Sequence, residues 1–419
     1  MKKTIEAILT EDFTRPIRDV LWGHVYFTDE LAELTASDPF MRLCRILQLG
    51  PVFLVYPGAT HTRASHSIGV YHLGRRLLHN LAERGASDWL SPQGVKSFLC
   101  ACLLHDLGHF PYTHSLKELP LKSHESLSGA IILSEPMKTL VGNTGADPEF
   151  CAAIVDKEMD ASGTELLFYR KLLSGALDPD KLDYLNRDAR YCGVPYGAQD
   201  VDFIHSRLSP HKERGADIDS RLIPNVEAIL FSKYLMYRTV YWHRQVRSAT
   251  AMVKKTLING LESGKISATD LYNLDDQGLF ALLGEKTDDT LYKSAREGRI
   301  FATAVEIPFE TDKHAHLRKI NNRSRIEEQL AVRLEKAGIP VRKEDLIIDV
   351  PEPISFETGL YVTDEGRNFS DSSSAFKTEI VQSLIQTLYT VRIFINKKIE
   401  QSLKTFSGLY DIVYDSIKL

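Results

Sequence analysis

A mainly α fold, with a helical core and a smaller C-terminal α+β region, is predicted by three observations. Apolar residues recur every three or four positions through most of the first 280 residues, and Gly and Pro punctuate that stretch into helix-length pieces. β-Branched and aromatic runs become concentrated only after about residue 295. We place the helical core at 1–285 and the α+β region at 286–419. With 419 residues, 43% hydrophobic and 26% charged, the chain is too apolar for disorder and long enough to bury a sizeable core.

Taken in order, the opening MKKTIEAILTEDF carries two lysines, but Glu6, Thr10, Glu11 and Asp12 break its apolar stretch before signal-peptide length. From 39 to 280 the pattern is helical. After His66, Val70, Leu73, Leu77 and Leu81 form one stripe, predicting a helix that ends near Gly85. Ser91-Pro92 supplies a cap and a first-turn proline for a helix running to Leu107, stopped by Gly108 and Pro111, so His105 and Asp106 fall near a helix C-terminus. Further helices are predicted near 124–140, 180–191, 199–208 and 226–260. In the C-terminal region, 300–307 and 391–395 read as strands, 323–338 and 374–387 as helices, and Ser370 to Ser374 as a loop with a helix cap.

Composition excludes several functions. Fifty-one Lys plus Arg against 56 Asp plus Glu leave a net charge of −5, so no global field draws the chain to nucleic acid. The most apolar run, Phe98 to Leu104, falls far short of the ~20 residues that span a bilayer, so no membrane partner is expected. The five cysteines are scattered without a CxxC, which argues against a disulfide framework or thiolate metal site and for a cytoplasmic setting.

Three segments are dense in groups that metals and phosphates use: Thr60 to His66; His109 to His114 with His124-Glu125; and Asp178 to Tyr184. Two imidazoles and two carboxylates from such segments would make a mixed N/O site for a borderline or hard divalent ion. A single histidine at a helix start is more often a cap or core residue, so no one of them carries the inference.

In order, Gln48-Leu49-Gly50-Pro51, Tyr56 to Arg63, His66-Ser67-Ile68-Gly69, His105-Asp106-Leu107-Gly108-His109, His124-Glu125 and Asp180-Lys181-Leu182-Asp183-Tyr184 resemble the signature of HD-domain phosphohydrolases. More narrowly, the chain resembles their deoxynucleoside triphosphate triphosphohydrolase branch, a match that continues through Tyr241-Trp242-His243-Arg244 and extends weakly over the C-terminal region. The resemblance implies that His66, His105, Asp106 and Asp180 hold one divalent metal ion (Mn, Fe, Co, Ni, Mg or Zn). It places His114 as the general acid, with His124 and His109 in support. Glu125 either orients His124 or is an acidic first-turn residue favoured by the helix dipole. Arg63, Lys181, Arg238, His243 and Arg244 match phosphate-binding positions, Tyr184 and Tyr241 lie near the deoxyribose, and Gln48 matches a position that binds the 3′-hydroxyl.

The implied reaction is metal-dependent hydrolysis of a dNTP to deoxynucleoside and triphosphate, in a homo-oligomer (dimer or tetramer) whose C-terminal region could form an oligomer or nucleotide-effector interface. Two alternatives stand beside it: hydrolysis of phosphodiesters or nucleoside monophosphates, and a weakly catalytic regulator that binds nucleotide or nucleic acid. Departures from the pattern motivate them. Lys117 stands where relatives carry an acid, with Glu118 one step further, and would lower the His114 pKa. Ala64-Ser65 replaces an aromatic-acid pair, and Met41 to Cys44 lacks the residues that read an activating guanine nucleotide. The basic cluster Lys313, His314, His316, Arg318, Lys319, Arg323 and Arg325 is either an effector or RNA site or a solvated face balanced by Glu327 and Glu328.

Overall fold

The computed structural model describes residues 4–160, 162–373, 375–404 and 406–418. It is mainly α, with a smaller α+β region at the C-terminal end. Helix α1 (Arg63–Glu83) is capped by Thr62 and buries Val70, Leu73, Leu77 and Leu81 along the predicted stripe. Helix α2 (Pro92–Leu104) begins at Ser91, whose hydroxyl accepts from the Gly94 amide, and every residue from Ser97 to Leu104 is buried. A helix apolar on all sides belongs at the centre of a bundle, so the core is built around α2. His105 forms its C-cap, which brings His105 and Asp106 out of the core where the helix ends.

Three further helices surround this end. Helix α3 (His124–Ile132) is capped by Ser123, and α4 (Pro148–Val155) packs on α2 and α3. Helix α5 (Pro179–Cys192) lies along α1, begins at the Asp178 cap and stops at Gly193, whose φ of 67° is the left-handed C-cap geometry that glycine accepts without penalty. Two glycines set the packing distances. A Cβ at Gly69 would overlap Asp183 Oδ1 and Arg187, and one at Gly108 would overlap the His124 carbonyl oxygen and the Ser128 amide nitrogen.

Two expected helices are interrupted. The segment 124–140 divides into α3 and a second helix, Met137–Asn143, because Pro136 between them cannot donate to a helical hydrogen bond. The segment 226–260 divides into α6 (Ile223–Met236), a π-helical turn over Tyr237–Tyr241, and α7 (Arg244–Glu262). The Trp242 amide donates to the Tyr237 carbonyl at 2.9 Å, five residues back, and His243 leaves helical geometry to cap α7.

After α7 come the strands β1 (Ala302–Pro308), β2 (Leu346–Asp349) and β3 (Thr390–Ile395), joined in one antiparallel sheet of order β1-β3-β2. The central β3 is buried at five of its six positions, which is why Val391 to Ile395 reads as a nearly continuous apolar run. Helix α8 (Ile320–Lys336) packs on β2, and α7 packs on both β1 and β2. One apolar cluster joins Phe110, Leu116, Met252 and Leu283 to Phe301, Ile347 and Phe394, across the expected division at 285/286.

The predicted 374–387 helix is found at Thr378–Leu388, and Ser373 Oγ accepts from the Phe376 amide at 2.9 Å; Ser374 lies outside the described residues. The basic cluster does not form one solvated face. Arg323 is buried and bonds Glu118 at 2.7 Å, His314 is buried, and Lys313 pairs with Glu310 at 2.7 Å. Among the described residues no helix is long and apolar enough to cross a membrane.

Candidate active site

The start of α1, the end of α2 and the start of α5 meet at one point. His66 Nε2 lies 3.0 Å from Asp180 Oδ1, and His105 Nε2 lies 3.3 Å from Asp106 Oδ1. Donor atoms of His66, His105 and Asp106 all fall within 4.8 Å of one another. The other ring nitrogens fix the imidazoles: His105 Nδ1 donates to the Cys102 carbonyl at 3.0 Å and His66 Nδ1 to Asp183 Oδ2 at 2.9 Å. Both rings therefore turn Nε2 toward the cluster. His105 Nε2 is buried with no hydrogen-bond partner, an arrangement that is costly for a polar atom but suits a metal ligand.

Electrostatics points the same way. Burial opposes a charged His66, yet the hydrogen bonds to Asp180 and Asp183 push it up to about 10. Burial likewise opposes an ionised Asp106, but His109, His105 and Arg63 hold it well below the usual carboxylate range. The pocket thus retains carboxylates and draws in positive charge, which a divalent ion would supply. Two imidazoles and two carboxylates fit such an ion by donor chemistry.

A second cluster adjoins it through Asp106. His109 Nε2 lies 3.1 Å from Asp106 Oδ1, His109 stacks on His124 with ring centroids 3.9 Å apart, and His114 is 4.8 Å from His109 and 5.2 Å from His124. Neither nitrogen of His109 has a hydrogen-bond partner. Burial, with the neighbouring imidazoles and Arg63, pushes His109, His114 and His124 well below 6.5. Lys117 contributes at His114, as its position in the sequence predicts. The His114 residue is exposed at the cavity wall, whereas His109 is enclosed. Glu125 Oε2 sits 3.1 Å from His124 Nδ1, where it can orient that ring.

Both clusters open onto a cavity of about 350 Å³, within the range of small-ligand sites. Gln48, Arg63, Tyr184 and Tyr241 line it together with His66, His105, Asp106, Asp180 and the three histidines His109, His114 and His124. Arg63 is buried and donates to Asp106 Oδ2 at 2.8 Å. Gln48 Oε1 is buried with no partner. Lys181, Arg238, His243 and Arg244 are not among the lining residues. Lys181 Nζ is taken by Asp178 Oδ2 and the Gly175 carbonyl, both at 2.8 Å, with Glu357 at 3.5 Å. Arg238 is exposed on the π-helical turn and donates to the Tyr234 hydroxyl at 3.1 Å. His243 Nδ1 accepts from the Gln245 amide at 3.3 Å, and Arg244 is exposed.

Several residues that shape this site were not anticipated. Asp188 lines the cavity, accepts from the Tyr241 hydroxyl at 2.6 Å and bonds His61 Nε2 at 2.8 Å. Its signal was available: Asp180, Tyr184 and Asp188 are spaced by four on α5 and share one face. Arg42 is buried and donates to the carbonyls of Leu107, His109 and Leu274, clamping the turn that carries His105 to His109. Ser128 on α3 bonds the His105 carbonyl and the Gly108 amide, each at 2.7 Å. Glu352, Pro353 and Ile354 bring the C-terminal region into the cavity wall, next to Arg247 of α7.

Residues 63–185 match the HD domain, and residues 212–398 match the HD associated region. Uncharacterized protein YwfO of Bacillus subtilis is 34% identical over 243 residues, 57% of this chain and 54% of that protein. The deoxynucleoside triphosphate triphosphohydrolase SAMHD1 homolog of Dictyostelium discoideum is 24% identical over 326 residues, 71% of this chain and 61% of that protein. The chain spans about half the length of several of the curated relatives it matches. The crystal structure of a hypothetical protein from Aquifex aeolicus superposes with a TM-score of 0.71 at 25% identity, over 93% of this chain and 98% of that one.

Proposed function

Because the chain belongs to the HD-domain phosphohydrolase superfamily and resembles its deoxynucleoside triphosphate triphosphohydrolase branch, we propose that it hydrolyses dNTPs to deoxynucleoside and intact triphosphate. The observation that carries this reading is the meeting, in one cavity, of the His/Asp cluster, three adjoining imidazoles, and a wall of Gln48, Tyr184 and Tyr241. A divalent ion held by His66, His105, Asp106 and Asp180 would polarise a phosphoryl oxygen and lower the pKa of a water molecule.

The chain's own residues account for the remaining requirements. Water adds at the α-phosphorus as the bond to the sugar oxygen breaks, and His114 delivers the proton that this oxygen needs. His114 is held neutral in the free protein, and an entering polyanion raises its pKa toward the range where it can act as an acid. Gln48 Oε1, unpartnered and buried, offers an acceptor to a sugar hydroxyl, and Asp188 holds Tyr241 in place beside it. Arg63, fixed by Asp106, presents a cation next to the reacting phosphoryl group.

One observation favours a second reading. Lys181, Arg238 and Arg244 stand outside the cavity wall, so the wall carries fewer cations than a triphosphate with about four negative charges calls for. Phosphodiesters or nucleoside monophosphates need fewer. Product analysis separates the two: purified protein is incubated with each dNTP, singly and mixed, in Mn, Co or Mg, and products are resolved by ion exchange. Deoxynucleoside with intact triphosphate supports the first reading, and a requirement for mixtures reveals an effector nucleotide. Turnover confined to phosphodiesters or monophosphates would establish the second. Asp106→Ala and His66→Ala should each lose both bound metal and turnover; retention of both would overturn either reading.

A further inference from the structure

Three cationic side chains line the cavity, and they differ in how much of their charge is already committed. Arg63 is bonded to Asp106. Arg247 is bonded to both oxygens of Asp349, at 2.6 and 2.9 Å, and to Glu352 at 2.9 Å. Lys117 has neither hydrogen bond nor ion pair among the described residues, and it shares the cavity wall with His114 and His124.

The acid beside it does not neutralise it. Glu118 turns away from the cavity and is held from behind, pairing with Lys254 and, at 2.7 Å, with Arg323 of α8. Leu116 and Leu119 on either side are buried in the apolar cluster beneath the segment. The segment after His114 is therefore fastened by Glu118 and two leucines, and that fastening leaves the Lys117 ammonium on the cavity side. An uncommitted ammonium on the cavity wall makes that wall attractive to an anion.

We propose that Lys117 is a substrate-binding residue that donates hydrogen bonds to phosphoryl oxygens, and that it supplies part of the charge which Lys181, Arg238 and Arg244 do not bring to the cavity. The assignment rests on the phosphohydrolase reading and adds a phosphate contact at a position where the resemblance predicts an acid. An ammonium is a compact point charge with three donors, suited to non-bridging phosphoryl oxygens without a fixed planar geometry. Lys117 is also one of the charges that lower the His114 pKa in the free protein, behind burial, His109 and Arg63, and bound phosphates would offset its charge.

The test uses the full chain as purified, with metal content measured before and after. Inorganic tripolyphosphate is titrated calorimetrically into the wild type, Lys117→Gln and Lys117→Arg. Loss of one charge-assisted contact should weaken binding about tenfold in Lys117→Gln and flatten its salt dependence, while Lys117→Arg stays close to the wild type. The Michaelis constant of Lys117→Gln for the best phosphorylated substrate should rise with little change in kcat. Equal tripolyphosphate affinity in wild type and Lys117→Gln, or no binding by the wild type, would overturn the assignment. If Lys117→Gln loses affinity while no dNTP is hydrolysed, the dNTPase reading fails and the assignment stands. If dNTPs are hydrolysed with unchanged affinity and Michaelis constant in Lys117→Gln, the assignment alone fails.

Discussion

Replacing Asp183 by Asn tests whether the residues behind the metal cluster control it. Asp183 is fully buried and its two oxygens accept four hydrogen bonds. Oδ1 accepts from Trp22 Nε1 at 2.6 Å and Arg187 at 2.9 Å, while Oδ2 accepts from His66 Nδ1 and Arg187 Nε at 2.9 and 2.8 Å. An asparagine of the same shape keeps one oxygen, so two of these four donors would face an amide NH₂. Arg187 would retain only Asp19, at 2.8 Å, as a carboxylate partner. Breaking a buried ion pair in this way costs about 3–5 kcal/mol, which corresponds to a fall in Tm of roughly 3–6 °C for a chain of this size. The effect on the metal is separate. Without the carboxylate, the His66 ring loses the partner that fixes its Nδ1–H tautomer and raises its basicity, a change that lowers metal affinity by about 10- to 100-fold. Chelator competition gives the affinity and thermal melts give the stability. A variant with lowered Tm but wild-type Mn affinity would refute the claim that Asp183 acts on the site through His66.

Gly108→Ala should drive α3 away from the turn carrying His105, because the new Cβ meets backbone atoms of His124 and Ser128 that cannot yield independently. We expect a loss of about 1–3 kcal/mol in stability together with loss of turnover, read by thermal melts and product assay, and an active variant of normal stability would contradict it. Tyr241→Phe removes the donor to Asp188 Oδ2 while His61 still holds the other oxygen, so the fold should persist and the Michaelis constant rise by about fivefold. The pH dependence of stability follows from two histidines outside the site, His72 and His205, which burial pushes down to about 4 and about 3. Because the unfolded chain takes up protons first, their contribution is complete above pH 6.5 and is lost as the pH falls toward 4, at up to about 1.4 kcal/mol per pH unit for the enclosed His205. His66 has the opposite sign: in metal-free protein its contribution is complete below pH 6.5 and fades as the pH rises toward 10. Thermal melts of metal-free protein from pH 4 to 10 should therefore peak near neutrality, and a flat acid limb would contradict the histidine argument.

The helical core was legible wherever one apolar stripe or one cap decided the outcome. The Val70 to Leu81 stripe and the Ser91-Pro92 start place α1 and α2, and through them His66, His105 and Asp106. The break at Trp242 was not legible, because the segment 226–260 keeps a helical composition and only a five-residue hydrogen bond reveals the π-helical turn. Strand β2 was missed for a similar reason: Leu346 to Asp349 is four residues long, with a sheet position set by pairing with β3 rather than by its own pattern. Among site residues, the motifs that carry the family resemblance pointed to the His/Asp cluster and the three histidines, which the structure gathers on one cavity wall. The cations were harder, because an arginine or lysine near a motif has no sequence mark that distinguishes a free charge from one already taken. Lys181 follows a metal-cluster residue directly, yet its ammonium is held by Asp178 and Gly175.

Which cations face the cavity is settled by residues far away in the chain. Arg247 lies one helical turn beyond His243 on α7, and its charge is consumed by Asp349 at the end of β2 and Glu352 just after it, both more than a hundred residues further along the chain. Glu352 also reaches Lys254 at 3.3 Å, Lys254 pairs with Glu118, and Glu118 pairs with Arg323. This chain of buried pairs ties the segment carrying His114 to α7, α8 and the C-terminal sheet. A buried pair contributes little net stability against an apolar replacement, but breaking one member leaves an uncompensated charge. The network therefore acts as a specification of geometry: it holds the loop after His114 in one register, with Glu118 inward and Lys117 outward. A phosphohydrolase site assembled this way depends on the C-terminal region for the identity of its free cation, even though the metal cluster is built entirely from the helical core.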